Sequence, residues 1–150
     1  MKTLIIDASI GAKLFIQEDD SQQAIDLFEA SVRHSLSLVV PELFKYEITS
    51  IAHRLHVPLE PVLRFFDDQV DKLLSYQKPS MSAWLKAEEI AKKGHKKSGY
   101  PSMYDSIYHA LAIEHDGTFI TADKRHYDKT VKYGHILLLE EWARVLTDSH

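Results

Sequence analysis

Four carboxylates in this 150-residue chain sit where an ordinary surface acid is not expected. Asp7 closes the apolar run Leu4-Ile5-Ile6, and Asp123 follows another, Phe119-Ile120, after Thr121-Ala122. Asp105 lies just inside a helical segment that opens at Ser102. Glu47 is flanked one turn away on each side by Leu43 and Ile51, which sets a carboxylate in an apolar stripe. An ionised carboxylate buried without a partner is costly enough that it normally protonates, so Glu47 requires a metal, a basic side chain or a pocket. Local readings stand beside these. Asp7 or Ser9 suits a helix cap, Asp123 suits a turn, and Ser102-x-x-Asp105 fits the pattern in which a Ser cap is answered three residues later by an acid. That last reading does not compete with a site, because a helix start also favours the charged form of an acid.

The acids gain meaning from the elements that carry them. Leu4 to Ile6, Leu36 to Val40, Phe119-Ile120 and Ile136 to Leu139 are short apolar runs that read as buried strands. Helical spacing occupies Ala8 to Ile16, Ser21 to Val32, Pro41 to Leu55, Pro61 to Leu74, Met81 to Lys93 and Ser102 to His115, with a short last helix from Glu140 to Leu146. Gly117 and Gly134 suit chain reversals. The alternation argues for an α/β fold: a three-layer sandwich with a central, mostly parallel sheet of four or five strands flanked by helices. In such sheets the groove beyond the carboxyl ends of the strands is where ligands bind, and Asp7 and Asp123 fall there. Four carboxylates converging on one groove repel, by about 4 kcal/mol for a pair 4 Å apart at an effective dielectric near 20. Divalent cations relieve such repulsion, and an all-oxygen ligand set selects Mg²⁺ or Mn²⁺ over zinc.

The length reads as a single domain spanning 1–150. The absence of cysteine excludes disulfides and cysteine-based metal or redox sites. An acid as early as Asp7 does not suit a signal peptide, and no apolar run is long enough to span a bilayer; the reading is a cytoplasmic protein with no membrane role. The formal net charge of -4 argues against a broad non-specific grip on nucleic acid. A local basic patch remains available in the loop Lys92 to Lys97, which includes Lys96 and Lys97, and in Lys124, Arg125, Lys129 and Lys132; the lysine run reads equally as a solvated loop.

Taken as an ordered set, Ile6-Asp7-Ala8-Ser9, Pro41-Glu42-Leu43 leading to Glu47, Tyr104-Asp105-Ser106-Ile107-Tyr108-His109-Ala110-Leu111-Ala112 and Ile120-Thr121-Ala122-Asp123 resemble the PIN-domain family of metal-dependent ribonucleases, in particular its small toxin members of the VapC type. The resemblance spans essentially the whole chain. It implies a metal-dependent endoribonuclease with Mg²⁺ or Mn²⁺ held by Asp7, Glu47, Asp105 and Asp123, supported by Ser9 and Thr121, with Asp128 one short turn beyond Asp123. It also implies an RNA substrate, an antitoxin partner and a homodimer. His109 departs from the pattern, since the family often has an apolar residue there.

Rival chemistries fit less well. A catalytically inactive module that binds RNA or a protein partner is opposed by the presence of all four acids. Haloacid-type phosphatases need Asp-x-Asp at the first strand, where this chain has Asp7-Ala8-Ser9, and no Gly-x-x-x-x-Gly-Lys phosphate loop occurs. Of the histidines, His53 and His56 share a helix side whereas His109 and His115 do not. The adjacent Phe65 and Phe66 suit either core packing or a dimer face, with core packing favoured.

Overall fold

A computed structural model describes residues 1–147, so the last three residues of the expected domain lie outside it. Five strands, β1 (Thr3–Ile6), β2 (Ser37–Val40), β3 (Leu74–Tyr76), β4 (Thr118–Thr121) and β5 (Ile136–Leu138), form one all-parallel sheet in the order β3-β2-β1-β4-β5. The last three residues of β1, β2 and β4 are buried, as their unbroken apolar runs require of strands covered on both faces. Seven α-helices flank the sheet among the described residues: α1 (Ala8–Ala12), α2 (Ser21–Arg33), α3 (Leu43–Arg54), α4 (Leu59–Phe65), α5 (Met81–Ala91), α6 (Met103–Glu114) and α7 (Lys124–Thr130).

The strand order explains where a site can form. The chain builds outward from β1 through β2 to β3, then returns to the other side of β1 to lay down β4 and β5. The order therefore reverses between β1 and β4, whose Ile6 and Ile120 are in register. That switch point leaves a crevice at the carboxyl ends of the two strands, where the helices that follow them part to opposite sides.

The first helix ends at Ala12 and not at the expected Ile16, with turns following it, and three further elements differ from the sequence reading. The segment from Pro61 to Leu74 is not one helix. After α4, residues Phe66–Val70 form a π-turn and Asp71–Leu73 a 3₁₀ turn, and Leu74–Tyr76 is the edge strand β3. The wider π-turn resets the helical phase. Phe66 becomes fully buried and Phe65 packs edge-on against it at 5.7 Å, so the pair belongs to the core. The salt bridge from Lys45 to Asp71 at 2.6 Å, with Tyr76 donating to the same carboxylate at 2.8 Å, ties α3 to this turn. The second difference is α7, a polar segment for which the sequence reading offered no element. The third is Leu139–Leu146, which is 3₁₀ rather than α-helical.

The reversal before β4 depends on Gly117, where a Cβ would come within 2.5 Å of the Thr3 carbonyl oxygen. Gly134, before β5, adopts a positive φ of 69° that other residues rarely take.

Candidate active site

Asp7 is both a helix cap and a buried acid. It follows β1 and caps α1 by accepting from the Ile10 N–H at 3.1 Å. Ser9 Oγ donates to the same oxygen at 2.6 Å, and Thr121 Oγ1, at the end of β4, lies 3.5 Å from the other. Asp7 is only 5% exposed, and burial pushes its carboxyl up to about 6 against the lowering effect of Ser9 and Ile10, with Glu47 and Asp123 raising it further. Both local readings of Asp7 therefore hold together. Its capping role fixes the carboxylate without neutralising it.

Asp105 sits in the first turn of α6, where the capping hydroxyl of Ser102 accepts from its backbone N–H at 3.0 Å. Its carboxyl is also pushed up to about 6, first by burial and then by Asp7 and Asp123. Asp123 caps α7 and accepts from the backbone N–H groups of Arg125 and His126 at 2.9 and 3.1 Å, while its own N–H donates to Thr121 Oγ1 at 3.0 Å. The side chain is otherwise exposed. Thr121 thus links the carboxyl ends of β1 and β4 through one hydroxyl.

Glu47 differs from its expected setting. The buried stripe of α3 is Phe44, Ile48 and Ala52; Leu43, Glu47 and Ile51 form its half-buried flank. The compensation expected for Glu47 is neither Arg nor Lys. Tyr108 Oη donates to Glu47 Oε1 at 2.6 Å. Burial still raises the Glu47 pKa, the tyrosine hydrogen bond opposes this, and Asp105 adds to the rise.

Each of the four acids acts on at least one other: Glu47 and Asp123 on Asp7, Asp7 and Asp123 on Asp105, Asp105 on Glu47. The fold therefore gathers residues from four different elements at the switch point. The donor set is oxygen only, with two acids held well above the usual carboxylate range, which suits a hard divalent cation that would favour their charged forms. Among the described residues no three of these side chains are already arranged to hold a metal ion. Asp128 is exposed on α7 and its side chain makes no hydrogen bond or ion pair among the described residues, so the structure does not bring it into the cluster.

The basic candidates divide. Lys96, Lys97, Lys124 and Arg125 are exposed and, among the described residues, their charged ends make no ion pair. Lys92 instead pairs with Glu88 at 2.9 Å, and Lys129 donates to the carbonyls of Ser98 and Gly99 at 2.6 and 2.8 Å, fastening the basic loop to α7. Sequence reasoning missed two residues here. Tyr108 lies three residues after Asp105, which places it on the same side of α6. His126 lies behind Asp123 and contacts His109; nothing in the local sequence signals this pairing.

No curated protein matches the sequence significantly. Among solved structures, a toxin–antitoxin complex from Klebsiella pneumoniae is similar at a TM-score of 0.60 and 13% identity, covering 91% of this chain and 97% of the other. FitAcB from Neisseria gonorrhoeae is similar at 0.63 and 10%, covering 93% and 98%. VapBC2 from Rickettsia felis, bound to a DNA fragment from its promoter, is similar at 0.63 and 11%, covering 91% and 96%. At these identities the likeness is one of fold. Residues 4–132 match the family model described as PIN domain, a range that takes in all four acids and, but for Thr3, the first four strands, and the chain belongs to the PIN domain family.

Proposed function

We propose that this protein is a divalent-metal-dependent endoribonuclease and the toxin of a toxin–antitoxin pair. The observation that carries the reading is the set of four mutually acting acids at the β1–β4 switch point of a PIN domain. Mg²⁺ or Mn²⁺ held by Asp7, Glu47, Asp105 and Asp123 would lower the pKa of a bound water and stabilise charge on the leaving oxygen of an RNA phosphodiester. Ser9 and the Ile10 N–H orient one oxygen of Asp7. Lys96, Lys97, Lys124 and Arg125 supply exposed positive charge for substrate phosphates, which the acidic cluster alone would repel.

The likeness to toxin–antitoxin complexes supports an antitoxin partner. Met81, Trp84 and Leu85 of α5 are exposed, and a cavity of about 320 Å³ lined by Trp84, Met103, Tyr104 and Leu43 adjoins them. An antitoxin or a second copy of the chain would cover such apolar surface. Among the described residues no helix is long and apolar enough to cross a membrane.

The test is incubation of the protein and its Asp105→Asn variant with a labelled structured RNA pool in Mg²⁺, Mn²⁺ or EDTA. Cleavage that needs both metal and Asp105 supports the assignment; cleavage that persists in EDTA or in the variant sinks it. A second reading is a PIN-fold module that binds RNA or protein without cleaving it; among the described residues no three metal-ligating side chains are already gathered for a cation. That reading requires that the folded protein bind no Mn²⁺.

A further inference from the structure

Tyr108 is fully buried, yet the one group its hydroxyl meets is a carboxylate of the acid cluster. Its ring lies against Phe119 of β4, stacked at 6.0 Å between centroids and 11° between planes. Phe119 is itself in register with Ile5 of β1, so the ring rests on the two strands that border the crevice. From that fixed support the hydroxyl reaches 61 residues back along the chain to Glu47 Oε1 at 2.6 Å. Glu47 has no other hydrogen-bond partner among the described residues, and its second oxygen, Oε2, is left without one.

A buried tyrosine that needed only to satisfy its hydroxyl would find a backbone carbonyl sufficient. Here the donor is spent on the flexible side chain of a half-buried acid facing Asp105. A tyrosine has two side-chain torsions, and this one is held by packing on both. A glutamate has three, and this is the one hydrogen bond among the described residues that restrains it. The flow of constraint therefore runs from sheet to ring to carboxylate.

Resting on the metal-site reading above, we infer that Tyr108 is a positioning residue that holds Glu47 by Oε1 so that Oε2 alone is presented to the cation. It does not touch substrate or metal. The hydrogen bond is charge-assisted and survives metal binding, because it uses the oxygen that the cation does not. Glu47 acts through one oxygen.

Tyr108→Phe keeps the ring and its stacking and removes only the donor. Mn²⁺ binding to the metal-free protein is measured by calorimetry for the wild type, Tyr108→Phe, Glu47→Gln and the double variant, with a thermal melt of each in the absence of metal. Loss of an outer-shell partner typically weakens metal binding by about 10- to 100-fold, and that loss is expected for Tyr108→Phe. In the Glu47→Gln background the same substitution is expected to change Mn²⁺ affinity by less than about 2-fold, because an amide whose oxygen accepts from Tyr108 has no second carboxylate oxygen to offer the cation. Mn²⁺ affinity of Tyr108→Phe equal to wild type, with only the melting temperature lowered, overturns the proposal and leaves Tyr108 a packing residue. An equal loss in both backgrounds overturns it as well. A folded wild type that binds no Mn²⁺ overturns the metal-site reading itself, and the positioning role falls with it.

Discussion

Helix α6 carries two buried polar settings on adjacent residues, and they are resolved in opposite ways. Tyr108 faces the acids. His109, fully buried beside it, has its Nε2 2.8 Å from the Gly134 carbonyl oxygen and its Nδ1 3.3 Å from His126 Nε2. A carbonyl only accepts, so His109 carries its proton on Nε2 and its Nδ1 accepts from His126, which fixes both tautomers. Burial lowers the pKa of His109, and burial with the neighbouring ring lowers that of His126 to about 4, so both rings are neutral. The chain Gly134–His109–His126 is completed within the protein except at His126 Nδ1, which lacks a partner among the described residues. The acid cluster is not completed. Its members raise one another, and among the described residues no cationic side chain balances them. The histidine cluster is satisfied almost wholly by the chain itself, whereas the acid cluster is left under like-charge stress, the condition under which the proposed cation would act.

The sharpest way to break this contrast is Asp7→Asn. Cleavage is expected to fall by about 100-fold or more, the scale of losing a preorganised charge-stabilising group. The metal-free variant should nonetheless melt at a higher temperature than wild type at pH 7.5, since a neutral amide replaces a buried charge. Full retention of cleavage in a single-turnover assay, or a lower melting temperature, contradicts the contrast.

The pH dependence of the metal-free protein tests the same point. Folding lifts Asp7 from 3.8 to about 6, so between those values the folded state keeps a proton that the unfolded state releases. Stability contributed by Asp7 is therefore present below its unfolded pKa and lost as pH rises through 6, by roughly 3 kcal/mol for this group. Added Mn²⁺ should raise the melting temperature more at pH 7.5 than at pH 5, because it competes with that proton. A metal-free melting temperature that climbs steadily from pH 4 to pH 7 would go against this account.

The histidine side predicts the reverse pattern. His109→Ala opens a cavity and leaves the Gly134 carbonyl and a His126 N–H unpaired, at a cost of about 2 kcal/mol or more. Denaturant titration should show that loss while Mn²⁺ affinity stays within about 2-fold of wild type. A stability-neutral variant with weakened Mn²⁺ binding would mean that the two settings are not separate. The smallest effect is expected from Ser102→Ala, which removes a helix cap worth about 1 kcal/mol. Its melt should shift by a few degrees, and a larger loss would show that the cap also holds Asp105 in place.

Much of this was legible before any coordinates. Asp7 and Asp123 follow apolar runs, so their place at strand ends follows from local pattern, and the Ser102 cap is a three-residue motif. The edge strand β3 was not legible, because Leu-Ser-Tyr is too short to show a period and follows a helix whose phase is broken by the π-turn at Phe66–Val70. α7 was missed for another reason. Its residues are mostly polar, and it is held by the Asp123 cap and by buried His126 and Thr130 rather than by an apolar stripe.

The sequence by itself determined that apolar runs alternate with amphipathic segments, that four acids interrupt or end them, and that the set matches one family. It did so because strand burial, helix periodicity and capping are properties of neighbouring residues. Only the tertiary structure decided that the acids come within electrostatic reach of one another, that Glu47 is answered by Tyr108, and that His109 turns away from them to His126. Those pairings join residues 61 and 17 positions apart, and their geometry is set by the parallel order of the sheet and not by any local preference.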